Sequence, residues 1–438
     1  MKGWRDAIEF VVKSEKVVTA KRAKNSLLKN SVFSFLLNVS ATAISFFAIP
    51  ITLRIMGLQN YGSFVFVQAA AAIVFTLTTL QYWQGLLVEF PGKASSAQLL
   101  KRHVLRSLSF EVVGIVAAFA VILVLSQLSF GQISVFKWTD LLLIILSTLL
   151  PTLGSLVAFY RLTDRYQTLM VVGLACNILR LVFLNIAWHV HPTVSAVILS
   201  YAAPEILRSG YLGCSLFFRK STELVVEDGP ELQQGKIYSA GKWSTAQAVA
   251  DLPVAHVDKI LVGLALSPEA LGIYNILKRL YSIINMATAP VYMNSIPEFA
   301  RKVNRDDVAG AYKLWRKTIL MLMPVSALIG VVFFATRDIW TGFVYHGLVN
   351  YSSELFVVIL TAVIAGSFIT SHAFYWALGK KRQTTVITVT SNIIYLGLLL
   401  LLSAKFQLIG ALIAFLIHVV AVVLVKVFFL LKEKGAYV

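Results

Sequence analysis

The chain has 438 residues, of which 58% are hydrophobic and only 14% charged, and its mean hydropathy is +0.77. Soluble globular domains carry about 25% charged residues, so this composition excludes a water-soluble fold and places the chain in a bilayer. The net charge of +18 follows membrane topology, as shown below, and is not a nucleic-acid signature.

Residues 1–30 are basic and lack the apolar core and small-residue cleavage site of a signal peptide, so the first apolar run is expected to act as an uncleaved anchor. Within this segment Trp4, Ile8, Val11, Val12 and Val18 share one side of a stretch that either lies on the cytoplasmic leaflet as a helix or stays a disordered basic tail. Apolar runs of about twenty residues, enough to cross a ~30 Å hydrocarbon core as helix, then recur. They predict spans at 31–53, 61–84, 108–128, 139–160, 168–189 and 193–217, and again at 243–265, 272–296, 318–336, 352–378, 384–403 and 407–430. The runs are continuous rather than alternating, which predicts helices and not a barrel. The run at 243–265 is the least apolar because it contains Asp251, Asp258 and Lys259. Cys176 and Cys214 fall inside spans, where they read as small core residues and not as a disulfide.

Basic residues fix the expected orientation. The N-terminal segment, the loops 90–107, 161–167, 218–242, 299–317 and 379–383 and the tail together hold 29 Lys and Arg, against four (Arg54, Lys137, Arg337 and Lys405) on the other side. Both termini are therefore expected in the cytoplasm of a multi-pass inner-membrane protein.

The chain also resembles itself at an offset near 210 residues. Gly62 in LRIMGLQNYGSFVF (53–66) falls on Gly272 beside ALGIYNI, Glu89 on Glu298, Arg106 on Arg316, and Asn177 on Asn392. Two copies of six spans enter the membrane in the same direction and are related by an axis along its normal. The expected fold is thus all-α and integral to the membrane, with about twelve transmembrane helices in two six-helix bundles, 31–217 and 243–430, around a central cavity. Residues 218–242 form the cytoplasmic linker and 431–438 the cytoplasmic tail.

Ionisable side chains within spans are costly in lipid, by roughly 2.5–3.5 kcal/mol each on insertion scales, and so face a protein interior or a wet cavity. Arg180 lies mid-span without an acidic neighbour one turn away, which points it to the cavity. Glu205 and Arg208 are placed to neutralise one another, and Arg54 to reach the outer surface. Lys259, Lys278 and Arg279 are expected at one level, as a cationic belt suited to phosphate oxygens. Asp258 is the candidate counter-ion of Lys278 or Arg279, and Asp251, just before Pro253, is either a protonatable coupling residue or a gate residue. His256, His372 and His418 read as packing or hydrogen-bonding residues, and Pro50, Pro151, Pro204, Pro253, Pro290 and Pro324 as kinks.

Three stretches carry a family likeness: NSVFSFLLNVSATAISFFAIPITLRIMGLQNYG (30–62), DKILVGLALSPEALGIYNILKRL (258–280) and YRLTDRYQ (160–167). Here the chain resembles polysaccharide transporters of the Wzx type in the multidrug/oligosaccharidyl-lipid/polysaccharide (MOP) flippase superfamily. The resemblance implies export of an undecaprenyl-diphosphate-linked glycan to the periplasmic leaflet for O-antigen, capsule or exopolysaccharide synthesis. It implies work alongside a polysaccharide polymerase and a chain-length regulator, and no cofactor, nucleic acid or ATP hydrolysis. A multidrug exporter of the same superfamily is expected to favour acidic cavity residues, and a lipid II flippase fourteen spans. A membrane polymerase or ligase is expected to carry a larger outer loop. No Walker A, HExxH, DxD or nucleophile-elbow motif is present.

Overall fold

Backbone groups in hydrocarbon must pair within their own segment, which leaves helices for runs of this kind. The computed structural model describes residues 40–42, 44–90, 97–218 and 233–437, and these are helical with no strand. Seven of the described helices are long and apolar enough to cross a membrane, and two of the seven are hairpins.

The first hairpin is Ser40–Thr78, which turns at Gly57, where φ is +73°. Thr52 lies 3.0 Å from the Tyr201 hydroxyl, and the Phe64 ring lies 5.5 Å from the same Tyr201 ring. On a straight helix those two residues would be ~18 Å apart, so the chain folds back, giving α1 (40–56) and α2 (58–78). The last hairpin spans Lys381–Tyr437 and breaks at Gln407, with φ 54°. His418 meets the Ser391 carbonyl at 3.2 Å across it, which separates α11 (381–406) from α12 (408–437). Between the hairpins lie α3 (Ala97–Gln127), α4 (Trp138–Leu162), α5 (Tyr166–Val190), α6 (Val194–Phe218), α7 (234–265), α8 (268–303), α9 (Val308–Ala335) and α10 (His346–Ala377). An extension of α2, Tyr82–Glu89, follows a turn at 79–81. The three helices α6, α7 and α8 fall outside the apolar seven.

The twelve helices form two six-helix bundles, α1–α6 and α7–α12. Within the first, α6 packs on α4 and α5; within the second, α10 packs on α8, α9 and the closing hairpin. One apolar core, holding Phe64 and Tyr201 with Leu271, Tyr274 and Phe415, runs through both bundles at the end that carries the 128–137 and 336–345 connections. At the other end the core divides, with Leu86, Tyr160 and Leu216 in one part and Phe299, Trp315 and Phe374 in the other.

Local sequence explains several helix ends. Ser267 caps α8 by accepting from the Ala270 N–H at 3.1 Å, with Pro268 at the first helical position. Asp307 caps α9 by accepting from Gly310 N–H at 2.8 Å, and the Lys302 ammonium together with that N–H holds its carboxyl below the usual carboxylate range. The expected kinks take distinct forms. Pro151 sits in the 3₁₀ turn Leu150–Thr152 that divides α4, Pro253 opens α7 into the π-helical turn Pro253–Val257, and Pro204 and Pro324 lie inside helices.

Two boundaries and one cysteine differ from the sequence expectation. Residues 234–242 of the supposed linker are the first turns of α7. The supposed tail continues α12 to Tyr437, because Lys432 and Lys434 end the hydropathy signal without ending the helix. Cys176 is buried but Cys214 is exposed, and both are free thiols. Residues 1–39, with the amphipathic stretch at 4–18, and 219–232 of the linker lie outside the described residues.

The repeat has a physical counterpart. A Cβ on Gly62 would stand 1.7 Å from the Pro268 carbonyl oxygen, and one on Gly272 would stand 2.8 Å from Leu58 Cδ1 and 3.1 Å from its carbonyl oxygen. With the 210-residue offset Leu58 corresponds to Pro268, so the two contacts are copies of each other across the pseudo-two-fold axis. Membrane helices meet closely where residues are small, and the matched glycines are where the halves cross. Gly62→Ala forces backbone against backbone, whereas Gly272→Ala first meets a movable side chain. Gly62→Ala should therefore lower the thermal stability of the purified protein by at least ~1 kcal/mol, the scale of overpacking, and Gly272→Ala by less. Equal melting temperatures for wild type and Gly62→Ala would refute this crossing.

Candidate functional site

The inner faces of both bundles converge on a cavity of about 550 Å³. Its charges come from α5, α6 and α8. Arg180 on α5 donates through Nη2 to Glu205 Oε1 on α6, and Arg208, one turn along α6, donates to Glu205 Oε2 at 3.1 Å. A single carboxylate, 3% exposed, therefore serves two guanidinium groups. The Arg180 guanidinium also lies 5.3 Å from the Tyr201 ring centroid, while its buried Nε has no hydrogen-bond partner among the described residues. From the second bundle Arg279 reaches across and donates to Ser45 Oγ of α1 at 2.7 Å. All three arginines and Glu205 line the cavity, leaving two positive charges in excess. Such a site suits a ligand with several anionic oxygens, because guanidinium groups offer paired donors in a rigid fork.

Lys278 and Arg279 are neighbours in sequence and part company in space, since successive helical residues point about 100° apart. Lys278 turns into the second bundle, where its Nζ lies 2.7 Å from Asp258 Oδ2, donates to the Val254 carbonyl at 2.9 Å and sits 4.1 Å from the Phe415 ring centroid. Lys259 does not line the cavity. The expected belt of Lys259, Lys278 and Arg279 is therefore not one surface, and only Arg279 faces the cavity. Depth along a helix was legible in the sequence; azimuth depended on packing.

Asp258 is fully buried. Its Oδ2 accepts from the Tyr274 hydroxyl at 2.7 Å and the Tyr395 hydroxyl at 3.1 Å besides Lys278, and Oδ1 accepts from the Lys259 N–H at 2.8 Å. It is the counter-ion of Lys278 and the centre of a hydrogen-bonded network that ties α7, α8 and α11 together. Asp251 is exposed. Of the carbonyls around the Pro253 break, Ala250 accepts from Asn392 at 2.7 Å and Val254 from Lys278 at 2.9 Å. Arg54 is exposed and lies over the Trp188 ring at 5.1 Å, as expected of a residue reaching the outer surface.

Three buried ionisable residues near span ends are not singled out by the sequence: Asp140 at the start of α4, which accepts from the Ser195 hydroxyl at 3.1 Å, Glu111 and Lys426. Glu111 on α3 accepts from the Ser155 N–H at 3.1 Å, closing the break in α4. Lys426 on α12 is 8% exposed and its Nζ lies 3.4 Å from His372 Nδ1. Arg208 was read as neutralised by Glu205 alone. The cross-helix share taken by Arg180, which frees part of Arg208, has no signal in local spacing.

A family model described as polysaccharide biosynthesis protein matches residues 27–303. The chain belongs to the polysaccharide biosynthesis protein family. No curated protein matches it. Among solved structures, this family member is similar to an inward-facing multidrug-resistance MATE transporter of the MOP superfamily, with a TM-score of 0.66, 10% identity, and coverage of 92% of this chain and 94% of that one. It is similar also to the MATE multidrug transporter DinF-BH in a ligand complex (TM-score 0.64, 15% identity, 94% and 96% covered). A third is a MOP superfamily transporter from Pyrococcus furiosus described by a binding pocket of reversed polarity (TM-score 0.60, 10% identity, 93% and 96% covered). At these identities the likeness shows the fold, which is the two-bundle fold of MOP superfamily transporters, and this polysaccharide biosynthesis protein is a multi-pass membrane protein with that fold.

Proposed function

We propose that this polysaccharide biosynthesis protein is a flippase that moves undecaprenyl-diphosphate-linked oligosaccharide repeat units across the bacterial inner membrane by alternating access, for surface polysaccharide synthesis. The observation that carries the reading is the cavity polarity: Arg180, Arg208 and Arg279 against the single Glu205. A diphosphate supplies the anionic oxygens these forks accept. An exporter of organic cations would place the same charges against its cargo.

The basic-residue asymmetry of 29 against four supports cytoplasmic termini, with repeat units loaded from that side. Rocking of one bundle against the other around a shared site suits a parallel repeat.

The test is complementation. Expression in strains that lack their own repeat-unit flippase should restore surface glycan in at least one, with reporter fusions after residue 310 active only in the cytoplasm and after 345 only in the periplasm. Restored resistance to cationic dyes, with no glycan export in any strain, would sink the proposal.

A further inference from the structure

A second cavity, of about 420 Å³, adjoins the arginine site and shares Pro151 with it as a lining residue. Its walls are the end of α2 with the Tyr82–Glu89 extension, Glu111 of α3, the second half of α4, and His256 of α7. The volume falls within the about 300–1,000 Å³ of small-molecule sites, but the lining differs from that of the first cavity. Trp83 supplies an aromatic wall: a Cβ on Gly154 would meet three atoms of the indole at 2.1–2.3 Å, so the ring lies flat on the Gly154 backbone. That support holds the indole while the residue stays partly exposed. Around it are the side-chain amides of Gln81 and Gln84 and the carboxyl of Glu111. Gln84 donates to Gln81, and Arg161 stands at the rim. Thr79 and His256 are among the lining residues; the Thr79 hydroxyl itself is turned to α3, 2.0 Å from where a Cβ on Gly114 would stand, and it and His256 Nδ1 are buried without a hydrogen-bond partner among the described residues. Buried polar atoms are ordinarily paired.

We infer that this second cavity is a saccharide subsite, with Trp83 as the stacking face for a pyranose ring and Gln81, Gln84, Glu111, Arg161 and His256 as the groups that read its hydroxyls. The inference rests on the flippase reading and adds to it where the sugar sits. A pyranose presents C–H groups on its faces and hydroxyls around its edge, which is what a flat aromatic ring rimmed by amides and donors accommodates. Proximity agrees: the first sugar is bonded directly to the diphosphate, and the two cavities share Pro151 as a wall. The Gln81 N–H donates to Thr245 of α7 at 2.9 Å, so the wall of the subsite is tied to the opposite bundle.

The probes are two lipids bound to the purified protein in nanodiscs: undecaprenyl diphosphate without sugar, and the lipid-linked repeat unit extracted from the strain in which the chain restores export. Trp83→Ala and Gln84→Ala should each weaken binding of the glycosylated lipid, Trp83→Ala by about tenfold or more, as loss of a stacking face and its buried hydrogen-bonding surroundings predicts. Binding of the bare lipid should stay near wild type, which also shows that the variants are folded. Equal losses for both lipids, or loss for neither, overturn the subsite. So does loss of ethidium binding with both lipids bound as in wild type, which would assign the cavity to a cation. If the wild-type protein binds neither lipid, the flippase reading itself fails, and that outcome is distinct from the others.

Discussion

Arg279→Glu should abolish glycan export at normal protein levels, while Lys259→Glu should retain most of it. The sequence alone ranks these residues equally, as members of one cationic belt. The structure separates them, since Arg279 lines the cavity and Lys259 does not. Reversal at Arg279 cancels the cavity's excess of two positive charges and sets a carboxylate where the diphosphate is expected, replacing an attraction by a repulsion. Two like charges ~4 Å apart cost about 4 kcal/mol at an effective dielectric of 20, enough to take export below detection. Arg180→Ala should also abolish export, but through two effects, since it removes a guanidinium and returns Glu205 wholly to Arg208. Arg279→Lys should recover part of the activity because the charge survives without the fork. The measurement is surface glycan in the complemented strain with membrane protein quantified in parallel. Normal export from Arg279→Glu, or equal loss from Lys259→Glu, would remove the 550 Å³ cavity from the substrate path.

The second large effect is structural. Asp258→Ala leaves the Lys278 ammonium without its carboxylate and two tyrosine hydroxyls without their acceptor, inside a fully buried network. Removing one partner of a buried ion pair costs about 3–5 kcal/mol, and the expected outcome is a large fall in membrane abundance. Replacing both partners with apolar groups, Asp258→Leu with Lys278→Met, should restore most of the abundance, because neither charge is then stranded. Asp258→Asn keeps an oxygen for Tyr274 and Lys278, so it should retain part of the transport per molecule. Normal abundance with no transport in Asp258→Asn would contradict the structural role and favour proton coupling at this carboxylate.

Several features needed no tertiary information. Twelve passes were legible because the bilayer imposes a length on every apolar run, and even α7, the least apolar, lies where its run predicted. The repeat was legible as well, and its matched Gly62 and Gly272 mark the crossing of the bundles because close helix approach in a membrane restricts residue choice to small side chains. The candidate charges were found because an ionisable group within a span requires a polar environment. What such groups bind was not legible: Glu205 was visible as the partner of Arg208 at i, i+3, but its bond to Arg180 joins residues 25 apart in the chain.

The sequence by itself determined that this protein is a helical membrane protein of two repeated halves, and which ionisable residues are drawn into its interior. Hydropathy and charge act along the chain, and a span of given length resolves depth. Only the tertiary structure decided which of those charges share a cavity. Direction around a helix axis changes by about 100° at each residue, so Lys278 enters the Asp258 network while Arg279, the next residue, faces Ser45 and the cavity. Which direction meets the cavity depends on partners far apart in the chain, such as Ser45 with Arg279, which no local pattern encodes.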